Sequence, residues 1–255
     1  MTTPLVIKIG GRVLTDPTAL SQLFSTVQKL AALRPLVLVH GGGDQVQALL
    51  QRLGDVSAKT DGQRVTPAAQ MPIVAGVLAG DLNSQLCAIA QQHGLASVGL
   101  TLQAGSTVRC EVDTTRGAVG IPQPHSSKLL ELLLDANYLP ILSSIGLSAD
   151  GQRLNINADL AAGAVAQVLH ADLILLTDVA GILDRDGLLI DSIDATQVLQ
   201  LISDGIVRDG MVVKLNAALQ AAQHSRRSIA VAGWQDANAL TRLAKGEAAG
   251  TRIRF

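Results

Sequence analysis

Six short apolar runs punctuate the chain: LVIKI (5–9), PLVLVH (35–40), SVGLTL (97–102), LPILSSI (139–145), DLILLT (172–177) and SIAVAG (228–233). They are mostly continuous rather than alternating, the pattern of strands covered on both faces of a parallel sheet. Between them lie stretches with helical spacing of apolar positions: Thr18–Leu33, Gln45–Leu53, Pro67–Gln92, Ser126–Asn137, Ala158–His170, Ala195–Ser203 and Met211–His224. Strands alternating with helices predict an α/β fold with an open, mostly parallel central sheet sandwiched between helices, a three-layer α/β/α architecture. Such sheets bind ligands beyond the carboxyl ends of their strands.

Two segments break the rhythm and read as hairpins: VSAKTDGQRVT (56–66), with Asp61-Gly62 at its tip, and VRCEVDTTRGAV (108–119). Hairpins inserted in such a fold serve as lids or edges over a site. A seam at SADGQRLN (148–155) is expected to divide one domain into an N-terminal lobe of about 1–150 and a C-terminal lobe of about 151–255.

Composition narrows the partners. With 20 basic and 21 acidic residues the 255-residue chain has a formal charge of −1, and it holds only four aromatic residues. There is no basic field for nucleic acid and little to stack bases on. The most apolar region, Leu160 to Leu183, is interrupted by His170, Asp172 and Asp178, as expected of a helix feeding a buried strand, so no membrane span is expected. Cys87 and Cys110 form no CxxC pattern, and the five histidines form no HExxH, so no protein-held metal is expected. The N-terminus lacks the pattern of a signal peptide, and a cytoplasmic location is expected.

The stretch LVLVHGGGDQVQALL (36–50) runs an apolar strand into three glycines and then a helix. Glycine lets backbone approach a ligand, and a helix start offers free N–H groups to an anion. A tight strand-to-helix turn explains the same glycines, so both readings stand. The spacing GxxxxGK[ST] is absent, and Val46 stands where GxGxxG needs its last glycine. A phosphate cradle here would therefore take its cation from elsewhere. Two of the six lysines sit in apolar company: Lys8 inside the first strand just before Gly10-Gly11, and Lys214 inside GMVVKLNAALQAA. Either lysine alone could snorkel to an edge, whereas two together suit a phosphoryl group that needs positive charge on both sides.

In LNINADLAAGAV, Asn155, Asn157 and Asp159 are more polar groups than one helix cap requires. One of them can cap while the others face a ligand, and Asp159 can hold lysine ammonium groups. TDVAGIL (177–183) ends a strand in a glycine turn, either a plain turn or a pocket wall. Arg64, on the first hairpin, is either a solvated arginine or a bidentate partner for a carboxylate.

Taken together, KIGG (8–11), HGGG (40–43), DGQRVT (61–66), NINAD (155–159), TDVAGIL (177–183) and GMVVKLNAA (210–218) resemble the amino-acid kinase family over nearly the whole chain. GQRVT with NINAD points to members whose acceptor is N-acetyl-L-glutamate. The resemblance implies ATP-dependent phosphorylation of the acceptor's γ-carboxylate in arginine biosynthesis, with acetylglutamate on the N-terminal lobe and ATP on the C-terminal one. It implies Lys8 and Lys214 as catalytic cations organised by Asp159. Gly42, Gly43, Arg64 and Asn155 would bind acetylglutamate. Gly10, Gly11, Asp178, Val179, Ala180, Gly181, Ile182, Leu183, Ile206, Val207 and Arg208 would bind the nucleotide, with Mg²⁺ held mainly by ATP phosphates.

The implied nucleophile is a carboxylate with a pKa of about 4.3, ionised without a general base. Arg12 and Arg208 depart from the family pattern; Arg12 either adds charge near the phosphates or faces solvent. Only seven residues precede Lys8, so the resemblance implies a homodimer without the N-terminal helix and arginine inhibition of longer hexameric relatives. The alternatives differ in testable ways. An aminoadipate-type kinase would present a basic rim to a carrier-linked acceptor. A non-catalytic nucleotide-binding regulatory module would lack Lys8, Asp159 or Lys214, and an NAD-dependent enzyme would need GxGxxG.

Overall fold

All six apolar runs are strands of one sheet in the computed structural model, which describes residues 2–60 and 63–255. In chain order the first elements are β1 (Leu5–Ile9), α1 (Pro17–Ala31), β2 (Leu36–His40), α2 (Gly43–Arg52), β3 (Lys59–Thr60) and β4 (Gln63–Arg64). Next come α3 (Met71–Ala75), α4 (Asn83–Gln92), β5 (Ser97–Thr101), β6 (Val108–Val112), β7 (Val119–Pro124), α5 (Lys128–Asp135), β8 (Leu139–Ser143) and β9 (Ile145–Leu147). The chain continues through β10 (Arg153–Ile156), α6 (Ala158–Val168), β11 (Asp172–Thr177), β12 (Ser192–Ile193) and α7 (Ala195–Ser203). It closes with α8 (Asp209–Ser225), β13 (Ile229–Gly233), α9 (Ala237–Ala244) and β14 (Thr251–Ile253).

The main sheet has the order β12-β14-β13-β11-β1-β2-β8-β5 and is parallel from β13 to β5; only β14 and β12 run the other way. β1, β2, β8 and β13 are buried at every position, which is why their sequences are continuous apolar runs. Helices flank the sheet, α1 against α4 and α9, α6 against α8. α1 starts where the Asp16 side chain accepts from the N–H groups of Thr18 and Ala19 and Pro17 fixes the first turn. It buries Leu20, Leu23, Phe24, Val27 and Leu30, positions three or four apart. Each side chain of this size contributes roughly 1.5–3 kcal/mol when fully buried.

α6 is buried from Ala161 to Ala166 because it lies between the sheet and α8, and small residues let both neighbours approach. A Cβ on Gly163 would come within 2.9 Å of the Ala221 methyl, so the crossing with α8 depends on that glycine. The expected helix at Pro67–Gln92 begins with a tight turn at Ala68–Gln70 and passes through α3, a widened turn at Gly76–Leu82 and α4. Its length and hydropathy would suit a membrane span. Here, though, Met71, Val74, Leu78, Leu82, Leu86 and Ala90 pack into the core.

The second hairpin is displaced from its expected bounds. β6 pairs with β7, so residues 113–118 form the turn and the return strand runs to Pro124 rather than ending at Val119. β7 carries two prolines, normally an argument against a strand. They are accommodated because β10 pairs with β7 only at Val119 and Gly120, leaving the Pro122–Pro124 half without a partner on that side. Ser148–Gln152, inside the expected seam, is the turn of the β9–β10 hairpin, closed by the Ser148 N–H on the Gln152 carbonyl. α9 and β14 stand where no element was expected. The first hairpin does form, with Lys59 opposite Arg64, but its expected tip, Asp61-Gly62, lies outside the described residues.

Candidate active site

β1 and β2 are parallel neighbours in register, with Lys8 opposite Val39 and Ile9 opposite His40, so the glycines that follow each strand emerge side by side. β11, on the other flank of β1, delivers Asp178 to the same end of the sheet. α6 starts just above this end because Asn157 caps it, its side-chain oxygen accepting from the N–H groups of Asp159 and Leu160. That places the Asp159 carboxylate over the end of β1.

Asp159 is buried, and its Oδ1 accepts from Lys8 Nζ at 3.0 Å and Lys214 Nζ at 3.2 Å. Burial by itself would raise the Asp159 pKa, but the two ammonium groups overcome it and hold the carboxyl at about 2. Lys214 is pulled down to about 8, first by burial and then by the neighbouring Lys8 charge, with Asp159 opposing both. The sequence had placed these three residues far apart, and the fold joins them through one oxygen atom.

A cleft opens beside this cluster, lined by Lys8, Gly10, Gly11, Gly41 to Asp44, Gln63, Arg64, Ser144 and Asn155 to Asp159, with Val46, Val74 and Leu78 among its apolar walls. Gly42 has φ +152°, and a Cβ there would fall within 2.6 Å of Leu82 Cδ2 and 2.7 Å of Leu78 Cδ2, so both backbone and packing demand glycine. The three loop carbonyls are all engaged: Gly41 by His40 Nδ1, Gly42 by the Val46 N–H and Gly43 by Arg64 Nη2. The N–H groups of Gly42 and Gly43 donate to no protein acceptor among the described residues. With α2 beginning at Gly43, the loop offers donors and helix-end polarity to an anion. Both readings of these glycines fit the geometry: the turn requires glycine at 42, and the loop leaves two N–H groups for an anion.

Arg64 is held across the cleft by Gln47 Oε1 at 3.0 Å and the Gly43 carbonyl at 2.8 Å. Burial lowers its pKa and Asp44 works against that lowering; a guanidinium remains charged regardless. Asn155 donates to Thr66 Oγ1 at 3.0 Å and faces the same cleft. Thr66 in turn joins the two hairpins, its carbonyl accepting from the Ala118 N–H and its N–H donating to the Arg116 carbonyl.

The remaining expected residues lie outside this cleft. Asp178 accepts from Trp234 Nε1 at 3.0 Å, and its other oxygen lies 3.5 Å from Arg12 Nε. Val179, Ala180 and Leu183 are exposed, whereas Gly181 and Ile182 are buried, with the Ile182 N–H on Thr251 Oγ1. Ile206 is half-buried, Val207 buried and Arg208 exposed, its Nε on the Gly205 carbonyl. The loop after β11 and the turn before α8 are linked by Arg185 and Asp204, 3.7 Å apart. His40 and Thr66 lay inside the HGGG and DGQRVT motifs without a role of their own, and Asn83 and Trp234, which here contact His40 and Asp178, carried no local signal.

The model of the amino acid kinase family matches residues 3–233. The chain belongs to that family. It is 50% identical to the acetylglutamate kinase of Edwardsiella ictaluri over 98% of each chain. It is 47% identical to the acetylglutamate kinase of Proteus mirabilis, again over 98% of each. The crystal structure of smu.665 from Streptococcus mutans superposes with a TM-score of 0.83 at 29% identity, covering 100% of this chain and 99% of that one. As a family member the chain is a kinase, and the parallel sheet with its helical layers is the family's fold.

Proposed function

We propose that the protein transfers the γ-phosphoryl group of ATP to the γ-carboxylate of N-acetyl-L-glutamate, giving N-acetyl-L-glutamyl 5-phosphate and ADP in arginine biosynthesis. The observation that carries this reading is one buried carboxylate, Asp159, holding two ammonium groups beside a cleft with free glycine N–H groups and an anchored arginine. The acetylglutamate kinases of Edwardsiella ictaluri and Proteus mirabilis support the choice of acceptor.

In this reading an acceptor carboxylate oxygen forms a bond to the γ-phosphorus while the bond to the bridging oxygen breaks, and ADP leaves with that electron pair. No proton need be removed from the nucleophile. Arg64 and Asn155 hold the acetylglutamate, and the N–H groups of Gly42 and Gly43 meet the acceptor and the group in transfer. Lys8 and Lys214 supply positive charge as negative charge spreads over the phosphoryl oxygens and the leaving oxygen. Asp159 keeps the two ammonium groups from driving each other apart and fixes their positions. Gly10 and Gly11 let the transferring phosphate come close to the backbone. Asp178 to Leu183, with Ile206, Val207 and Arg208, form the nucleotide wall.

Among the described residues no group of three His, Cys, Asp or Glu side chains is placed to hold a metal ion. In this reading Mg²⁺ is carried mainly on the triphosphate oxygens and water. The reading also includes an acetylglutamate-binding lobe of about 1–150, an ATP-binding lobe of about 151–255, a homodimer, and a cytoplasmic setting consistent with two free cysteines.

The deciding experiment measures ADP release with acetylglutamate, glutamate, aspartate and aminoadipate offered separately. Turnover should be highest with acetylglutamate; none above background with it would sink the reading.

A further inference from the structure

His40 is completely buried, yet both its ring nitrogens are engaged. Asn83 Nδ2 lies 2.9 Å from the Ile141 carbonyl, so that amide end is the donor, and its second hydrogen is directed at His40 Nε2, 3.0 Å away. Nε2 is therefore an acceptor, and the ring proton sits on Nδ1, 2.8 Å from the Gly41 carbonyl oxygen. The ring stays neutral, since burial pushes its pKa down to about 4.

The Gly41 carbonyl shares a peptide plane with the Gly42 N–H, and in a trans peptide the two point in opposite directions. No cis peptide occurs among the described residues. A carbonyl drawn inward onto a buried imidazole thus turns the Gly42 N–H outward, toward the cleft that Gly42 lines. Rotation of that peptide would instead aim a carbonyl lone pair at the anion, reversing attraction into repulsion. Asn83 fixes the ring to β8, so the orientation of the loop is referred to the rigid sheet.

We infer that His40, braced by Asn83, is a positioning residue that aims the Gly42 N–H at the anion in the cleft. This rests on the reading of the Gly42–Gly43 loop as the acceptor's cradle.

Two substitutions separate positioning from mere core filling. His40→Asn places an amide N–H near the position of Nδ1 and gives up the reach to Asn83; His40→Gln reaches Asn83 and gives up the short bond to Gly41. Both should lower the melting temperature. His40→Gln should lose about tenfold or more in kcat, because a small misplacement at a reacting centre is costly, whereas His40→Asn should stay within about threefold of wild type. The KM for acetylglutamate should rise in His40→Gln while that for ATP holds. A His40→Gln enzyme with wild-type kcat, or His40→Asn as impaired as His40→Gln, overturns the inference. If the KM for ATP rises instead, His40 still orients the loop but the acceptor reading of that loop fails. Should His40→Gln not fold, His40→Leu, which also lacks the bond to the Gly41 carbonyl, is judged in its place: a kcat lowered about tenfold or more at matched folding supports the inference, and a wild-type kcat overturns it.

Discussion

Asp159 and Asp178 each join groups from two separate parts of the chain, in opposite surroundings. Asp159 binds Lys8 from β1 and Lys214 from α8 with side chains only 9–13% exposed. Asp178 touches Arg12, after β1, and Trp234, after β13, with the Arg12 side chain 80% exposed and its own 28% exposed. The same Coulomb attraction is weakly screened in the first case and strongly screened in the second. Chemistry that depends on fixed charge belongs with the buried aspartate. The half-buried one lies at the rim that the proposed function assigns to the nucleotide.

The sharpest way to break this contrast is to remove a buried cation. Lys8→Ala and Lys214→Ala are each expected to lower kcat by about 10²–10³-fold, the scale of a lost transition-state donor. The KM for ATP should change far less. Steady-state kinetics on variants whose melting curves show them folded would check this, and a wild-type kcat would remove that lysine from the mechanism.

Asp159→Asn sharpens the comparison through pH. In the proposed mechanism Lys214 acts as a cation, so with its pKa at about 8 kcat/KM is expected to fall as pH rises through that value in the free enzyme. Neutralising Asp159 removes the one influence that raises this pKa and leaves burial and the Lys8 charge in place. The Lys214 pKa must then fall further, and the alkaline limb should move to lower pH, with a drop in kcat at the wild-type optimum. An unmoved limb, or one displaced to higher pH, would mean that another group governs it.

Sequence made the buried elements legible and the edges obscure, for a physical reason. Strands covered on both faces must be apolar throughout, so β1, β2 and β8 announced themselves. β14 has three residues and β12 two, too few to show a pattern, and β7 hid behind prolines tolerated at a half-free edge. In the site the same logic holds. Lys8 and Lys214 stood out because a charge in an apolar run needs a partner, and the NINAD stretch because it held more polar groups than a cap uses. The structure divided that work, giving the cap to Asn157 and the lysines to Asp159. His40 stood inside the HGGG motif, but no role for it was visible there, since its partner Asn83 is 43 positions away. In the proposed nucleotide wall, TDVAGIL had its place at a strand's carboxyl end as a signal, whereas Ile206, Val207 and Arg208 came from family resemblance alone.

The smallest expected effect lies at Arg12, where sequence left two readings open, added charge near the phosphates or a side chain facing solvent. The guanidinium sits 3.5 Å from Asp178 and is mostly in water, the setting in which an ion pair contributes about 0.2–1 kcal/mol. Arg12→Ala should therefore raise the KM for ATP by no more than about fivefold, and the difference should shrink as salt screens it. Its kcat should stay near wild type, because Lys8 and Lys214 remain fixed by Asp159 without help from the rim. A loss of kcat on the scale expected for Lys8→Ala, persisting at high salt, would place Arg12 with the buried cluster. Exposure would then be a poor guide to which of the two aspartates serves the chemistry.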